Sequence, residues 1–566
     1  MILRGFSRKS LLGEIPSFSA RILTNKLALY LKKKDGSESY TYEEMARAVY
    51  RFAENLLSSG IKPGDKIALI SENRPRWVIS YFSIVYYGMI AVPVDVNLTS
   101  GEMHNILEHA DINGIFVSKK FARDISSIVN LKKLKFKLDL DDDAAWTSIE
   151  QVHKSEENIN LINKNSKSIA SLIYTSGTTG KPKGVLLSHA NIINNIFDLD
   201  SKGRINRDSC LLSLLPLNHI FEFTAGLIGP LLTGATIYFC ESLKPNKIVD
   251  ALKQYKITSF NAVPILLSLI YERIDEKIEA LPSMQKKIIR GLQKISYLSQ
   301  RYLGLNAGPI FFQKVHAEFG GHLQQIICGG SFTNPQLVKN FSSLGFTIAV
   351  GYGLTETSPV ISFNSNRRLG REDTVGVVAK SLKIKIMHPD ATGAGEIWVK
   401  GKSVFPGYYK NEAAGLEVFK DGWFKTGDVG LLKKGHLKIV GRQKDMLVTS
   451  AGKNIYLDDV QNLYGKIQGI LEYSLIGIPN DFNDPSQGEY IMAVVVPDAD
   501  YLKEKKIHGD SIKSYFEEQF RELSQNIVMM KRVKQVFIFE EELPKTTKRS
   551  IKKFVLRNRI LKLLQK

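Results

Sequence analysis

Cysteine is scarce in this chain. Among 566 residues only Cys210, Cys240 and Cys328 occur, and no two form a CxxC pair. That excludes a disulfide scaffold, argues against structural zinc, and fits a reducing cytoplasmic setting. Long apolar runs are nearly missing as well. The one stretch of membrane-spanning length, WVISYFSIVYYGMIAVPV from Trp77 to Val94, is interrupted by two serines, by Gly88 and by Pro93, and Asp95 follows it. It predicts a buried helix running into a buried strand rather than a transmembrane helix. The basic N-terminus has no uninterrupted apolar segment, because Glu14 and Pro16 break it, so a cleaved signal peptide is not expected. Internal repeats and low-complexity tracts are also lacking.

What the chain does have is positive charge: 77 Lys and Arg against 57 Asp and Glu, a formal +20. The surplus is unevenly placed. Residues 1–34 hold eight basic side chains and one acid, and residues 531–566 hold twelve and three, leaving about +4 for everything between. A nucleic-acid groove would spread basic residues along one domain and carry a recognition motif, and neither is found, so nucleic acid is not an expected partner. The C-terminal SIKKFVLRNRILKLLQK predicts at most peripheral contact with an anionic membrane, since its apolar residues are scattered around the helical wheel.

Apolar runs of strand length alternate with helical patterns, which predicts an α/β fold. KIALIS (66–71), GIFVS (114–118), SLIYTS (171–176), TIYFC (236–240) and FTIAVG (346–351) read as buried strands. MARAVYRFAENLLSSG (45–60) and NKIVDALKQYK (246–256) read as amphipathic helices. Residues 141–168 are polar and read as an exposed connection, and residues 272–302 as an inserted helical segment. The pattern restarts after Arg442. The expected organisation is a large N-terminal domain over 1–441 and a compact second domain over 442–566.

The densest chemical signal is YTSGTTGKPKGV, Tyr174 to Val185. Hydroxyls at Thr175, Ser176, Thr178 and Thr179 alternate with Gly177 and Gly180 directly after a strand. Glycines let backbone N–H groups approach an anion, short hydroxyls add donors without bulk, and Lys183 supplies charge for a polyphosphate. It is not a Walker A loop, because no glycine stands where that motif requires its second one.

This segment resembles the phosphate-binding loop of the adenylate-forming (AMP-binding) superfamily, which includes acyl-CoA synthetases, luciferases and peptide-synthetase adenylation domains. The resemblance continues in order along almost the whole chain: PLNHIFEFTAGL (216–227), CGGS (328–331), GYGLTETSPV (351–360), GEIWVKG (395–401), GWFKTGD (422–428) and GRQKDM (441–446). It implies an α/β architecture in which a large multi-subdomain N-terminal domain, with β-sheets flanked by helices, is followed by a small mobile α+β C-terminal domain, and it implies roles by position. Gly330 and Ser331 belong to the adenine loop, Tyr352 stacks on adenine, and Gly353 and Thr355 line the nucleotide. Glu356, with Thr178, holds Mg²⁺; Asp428 binds the ribose hydroxyls; Arg442 lies near ribose and phosphate. His219 lies at the acyl pocket, Lys444 is the hinge, and Ala451 and Gly452 line the thiol tunnel, where SAGKN replaces the usual SGGKN.

The implied reaction joins a carboxylate to the α-phosphate of ATP, then passes the acyl group to a thiol. PLNHIFEFTAGL and the insert between Val263-Pro264 and the CGG run resemble the long-chain fatty acid–CoA ligase branch most. Expected substrates are therefore ATP, a fatty acid and coenzyme A, with Mg²⁺. The phosphopantetheine of an acyl carrier protein is the alternative acceptor. One departure matters more than the rest. The family's LPKTxxGKIxR reads LPKTTKRSIKK here, so Ser550 stands where a catalytic lysine is expected. Lys548, Arg549 and Lys552 are the neighbours able to substitute; failing that, the protein is an adenylation-impaired acyl or nucleotide binder.

Overall fold

A computed structural model describes residues 5–128, 134–151, 165–175, 182–200, 205–240, 242, 244–364, 369–449, 454–465, 467–482, 484, 487–545 and 551–565. The fold is mixed α/β, as the alternating pattern predicts. The chain forms two compact units: Met1–Ile384 with Val399–Phe424, and Lys385–Trp398 with Lys425–Lys566.

The first unit contains two large sheets. One has six strands in the order Phe136–Asp139, Gly114–Val117, Lys66–Ile70, Ile90–Pro93, Ile169–Thr175, Lys183–Ser188. Its first five strands run parallel, and the last closes an antiparallel hairpin. The other has nine strands, with a parallel centre made of Thr347–Gly353, Gln325–Cys328, Ser259–Ala262, Cys210–Ser213, Thr236–Phe239 and Leu27–Lys33. Parallel strands covered on both faces must be apolar throughout, which is why these segments read as continuous runs. The stretch from Trp77 forms the wholly buried helix Pro75–Tyr86 and then the strand Ile90–Pro93. The helix expected over 45–60 begins earlier, at Tyr42, because Thr41 caps it and Glu44 returns the bond in a capping box.

The expectation of an exposed connection over 141–168 needs correcting. Asp143–Gln151 is a helix, started by the Asp142 carboxylate accepting from the Ala145 N–H. Trp146 is buried against Phe52 at 4.1 Å between ring centroids, and its indole N–H donates to Tyr40 and Glu150. One large aromatic was enough to fold a polar segment onto the core. The inserted segment consists of the helices Pro264–Glu279 and Ser283–Leu298 followed by the turn Ser299–Leu303.

In the second unit, the strands Ile470–Pro479, Glu489–Pro497 and Val533–Ile538 form a sheet. Side chains alternate across it with the two-residue period of a strand. Leu475, Ile491, Ala493 and Val495 pack with Phe516 and Phe520 on one face. Ile476, Ile478, Met492 and Val494 pack with Leu556 and Ile560 of the C-terminal helix Lys553–Leu564 on the other. No helix among the described residues is long and apolar enough to cross a membrane.

Candidate active site

In an open parallel sheet, ligands gather at the carboxyl ends of the strands, where loops are free to vary and backbone groups lack partners. The nine-stranded sheet directs the predicted motifs there. Cys328 is level with both Ala262 and Val350 across the ladder, so Gly329, just past its strand, and Gly351, near the end of the next, lie side by side. The segment containing His219 follows the neighbouring strand Cys210–Ser213. Contact between these loops is close. A Cβ on Gly329 would lie 3.3 Å from the Gly351 carbonyl oxygen and 3.5 Å from the Phe221 ring. Three separate motifs thus meet within van der Waals distance.

Gly353 is required for space rather than for its torsion angle. A Cβ there would fall 1.9 Å from the Pro359 carbonyl oxygen. Gly353→Ala is therefore expected to displace the Tyr352–Glu356 segment and to abolish nucleotide binding. Calorimetric titration with ATP checks this.

The hairpin Ile169–Thr175 and Lys183–Ser188 places Thr175 directly opposite Lys183. Ser176, Gly177, Thr178, Thr179 and Gly180, between them, lie outside the described residues. Strand Lys183–Ser188 is also joined by the segment after Phe405: the Tyr409 N–H donates to the Gly184 carbonyl at 2.8 Å, and Val185 bridges Tyr408. This sets Tyr408 between two predicted residues. The Lys183 ammonium lies 5.1 Å from the Tyr408 ring centre, and the Tyr408 hydroxyl donates to Glu356 Oε1 at 2.9 Å. Burial, together with the Glu356 charge, raises the Tyr408 pKa, so the phenol stays a donor. Lys183 and Glu356 are thereby brought to one place, a cation and a carboxylate on the two sides of one tyrosine.

His219 Nε2 is 3.7 Å from Asp95 Oδ2, while Asp95 Oδ1 accepts from the Asn97 backbone and side chain. The segment around His219 is held at both ends. Asn73 donates to Ser213 Oγ and to the Leu215 carbonyl, and accepts from the Leu217 N–H. At the other end, fully buried Glu222 opens a π-helical turn, Glu222–Ile228, and accepts from Asn261 Nδ2 at 2.8 Å. Burial pushes its carboxyl pKa up to about 8, opposed by bonds from Asn261, Ser213 and Leu214. Gly226 leaves the room, since a Cβ there would meet the Glu222 carboxyl carbon at 2.6 Å.

Asn73, Asp95, Glu222 and Tyr408 escaped the sequence reading. Glu222 alone had a signal, three residues after His219 within a motif already singled out. The other three become visible only when distant strands pair.

In the second unit, Asp428 and Arg442 face each other on paired strands, and Arg442 Nε donates to Asp428 Oδ1 at 3.1 Å. Lys444 follows in the short turn Gln443–Asp445. Ala451 and Gly452 lie outside the described residues. So do Lys548, Arg549 and Ser550; of the residues to either side, Lys545 bridges Ile551, and the Lys552 N–H donates to the Pro544 carbonyl at 2.7 Å. Lys545 Nζ is held by Glu472 at 2.6 Å.

Residues 19–409, well over half of the chain, match the family of AMP-binding enzymes. The chain belongs to this family. Long chain acyl-CoA synthetase 1 of Arabidopsis thaliana is 28% identical over 515 residues, covering 84% of this chain and 76% of that protein. Feruloyl-CoA synthase of an Amycolatopsis species is 26% identical, covering 89% and 91%. The crystal structure of ATP-bound MatB from Rhodopseudomonas palustris shares the fold, with a TM-score of 0.76 at 23% identity over 97% of this chain and 98% of that one. Membership in the AMP-binding family and these relatives support an AMP-forming acid–CoA ligase.

Proposed function

We propose that this AMP-binding enzyme activates a long-chain fatty acid as its acyl-adenylate and transfers the acyl group to coenzyme A. The observation that supports it best is the meeting of the His219, CGGS and GYGLTE loops at the strand ends, with Lys183 and Glu356 joined through Tyr408. The preference for a long chain draws on the long chain acyl-CoA synthetase relatives and on the resemblance of PLNHIFEFTAGL and the helical insert to that branch.

In this reading a fatty carboxylate oxygen attacks the α-phosphorus of ATP, and the bond to the β-phosphate oxygen breaks, releasing pyrophosphate. Lys183 neutralises charge that develops on the phosphates. Tyr352 supplies a flat face for adenine. Asp428 accepts from the ribose hydroxyls, while Arg442 orients that carboxylate. A thiolate then attacks the acyl carbonyl, and AMP departs. His219 borders the acyl group, and Lys444 is the pivot about which the second unit reorients between the two steps. Glu356 fits Mg²⁺, a hard cation usually held by one or two carboxylates plus substrate phosphates, and with Thr178 it would place positive charge beside the leaving pyrophosphate.

A second reading is favoured by Ser550 alone: a binder of acyl or nucleotide ligands in which adenylation is weak. Ser550 cannot supply a cation, so the first reading requires Lys548, Arg549 or Lys552 to do so. We expect fatty-acid-dependent ATP–pyrophosphate exchange in the wild type, a loss of about 10²-fold in Lys548→Ala or Lys552→Ala, and a gain in Ser550→Lys. Exchange unaffected by either alanine change sinks substitution by a lysine, and nucleotide binding without exchange establishes the second reading. Running the assay over a ladder of carboxylates, then supplying CoA or acyl carrier protein, assigns the acid and the acceptor.

A further inference from the structure

The helix Ser283–Leu298 is apolar on two sides. Ile289 and Leu292, partly buried, pack against the core, with Gln293 and Ser296 buried beside them. Its outward stripe is apolar. Met284, Ile288, Ile295 and Leu298 recur at helical spacing with fractional exposures of 76%, 53%, 54% and 38%, and only Gly291 interrupts them. Beyond the helix, Tyr302 and Leu303 extend the stripe, each 71% exposed. At 1.5 Å per residue the helical part alone runs about 21 Å, a continuous apolar surface that a monomer in water has no reason to keep.

Charge around the stripe is of one sign. Residues 280–314 contain six basic side chains and no acid. Lys286 and Arg290, on the inner side, are paired with Glu279 and Asp275 of the preceding helix. Lys287 and Lys294 border the apolar stripe one heptad apart. Both are exposed, and neither makes an ion pair among the described residues. An apolar stripe rimmed by unneutralised lysines is complementary to a bilayer whose surface is anionic and whose interior is hydrocarbon.

We propose that the helix Ser283–Leu298 and the turn after it are a membrane-docking surface that lays Met284, Ile288, Ile295 and Leu298 into an anionic bilayer. Lys287 and Lys294 contact the headgroups. This goes beyond the assigned reaction and does not depend on which acid is activated. The C-terminal helix, the other basic candidate, has committed Leu556 and Ile560 to its own sheet.

The full chain is sedimented with vesicles of phosphatidylcholine alone and of phosphatidylcholine with phosphatidylglycerol. Binding should require the anionic lipid, fall steeply with added salt, and weaken at least tenfold in Ile288→Ser/Ile295→Ser and, separately, in Lys287→Glu/Lys294→Glu. Both variants should keep wild-type ATP–pyrophosphate exchange with a water-soluble acid, which shows that they fold. Wild-type binding retained by both variants overturns the proposal. So does binding lost only in Lys562→Glu/Leu563→Ser at the C-terminus, or an apolar stripe whose mutation instead dissolves a dimer of this chain.

Discussion

Glu356→Ala is expected to lower acid-dependent ATP–pyrophosphate exchange by about 10²–10³-fold, the usual cost of removing one charged group aimed at a polyphosphate in flight. The fold should tolerate the change. Glu356 sits in the short turn Thr355–Thr357, where its carbonyl accepts from the Phe405 N–H at 2.8 Å, and its partly exposed carboxylate accepts from the Tyr408 hydroxyl. Alanine keeps the backbone bond and removes only the carboxylate. Tyr408→Phe provides the contrast, because it deletes one hydrogen bond to Glu356 while keeping the ring beside Lys183. A loss of only about 10-fold is expected there, in line with one hydrogen bond to a charged group. If Glu356→Ala exchanges as fast as the wild type at saturating Mg²⁺, the carboxylate has no part in the reaction. If Tyr408→Phe costs as much as Glu356→Ala, the phenol itself touches the phosphates.

The second large effect is on stability and concerns Glu222. Burial raises its carboxyl pKa from 4.5 to about 8. Below 4.5 the folded and unfolded chains both hold the proton, so the group contributes no pH dependence. Between 4.5 and about 8 the unfolded chain has released a proton that the folded chain still binds. Stability from this group therefore falls as pH rises through that window, by about 1.4 kcal/mol per unit at most, and levels off above it. Glu222→Gln keeps the shape and the acceptor for Asn261 but cannot ionise. Its melting temperature relative to the wild type should climb steadily from pH 5 to pH 8. Glu222→Ala should destabilise by roughly 3 kcal/mol near pH 5, since it leaves a cavity and strands the buried Asn261 amide and Leu214 N–H, and the deficit should shrink as pH rises because alanine too lacks the titrating carboxyl. Parallel pH profiles for wild type and Glu222→Gln would falsify the assignment of a proton to this carboxyl in the folded state. Because Glu222 helps hold the segment containing His219, the alanine variant should also raise KM for the acid more than it lowers kcat; the glutamine variant should restore both.

Sequence alone determined the family, the α/β class and the residue types of the motifs. These are properties of short, contiguous stretches: a glycine- and hydroxyl-rich turn after a strand, runs of β-branched residues, an aromatic two residues into GYGLTE. Such signals are local, because backbone approach to an anion needs particular residue types at adjacent positions. The same locality explains what was misread. Residues 143–151 look polar, yet Trp146 folds them onto Phe52, a partner more than ninety positions earlier. Tyr408, which joins Lys183 to Glu356, is assigned by strand pairing between segments more than two hundred residues apart.

Only the tertiary structure decided which polar groups are deprived of water, and burial is a property of the whole fold rather than of any segment. Glu222 and Glu272 are the same residue type, but one is fully buried with a displaced pKa and the other lies on a partly exposed helix of the insert. The same holds for the helix Ser283–Leu298. The pattern over 272–302 predicts an inserted helical segment, and only the packing shows that Ile289 and Leu292 meet the core while Met284, Ile288, Ile295 and Leu298 face outward, because periodicity cannot report which face of a helix is covered.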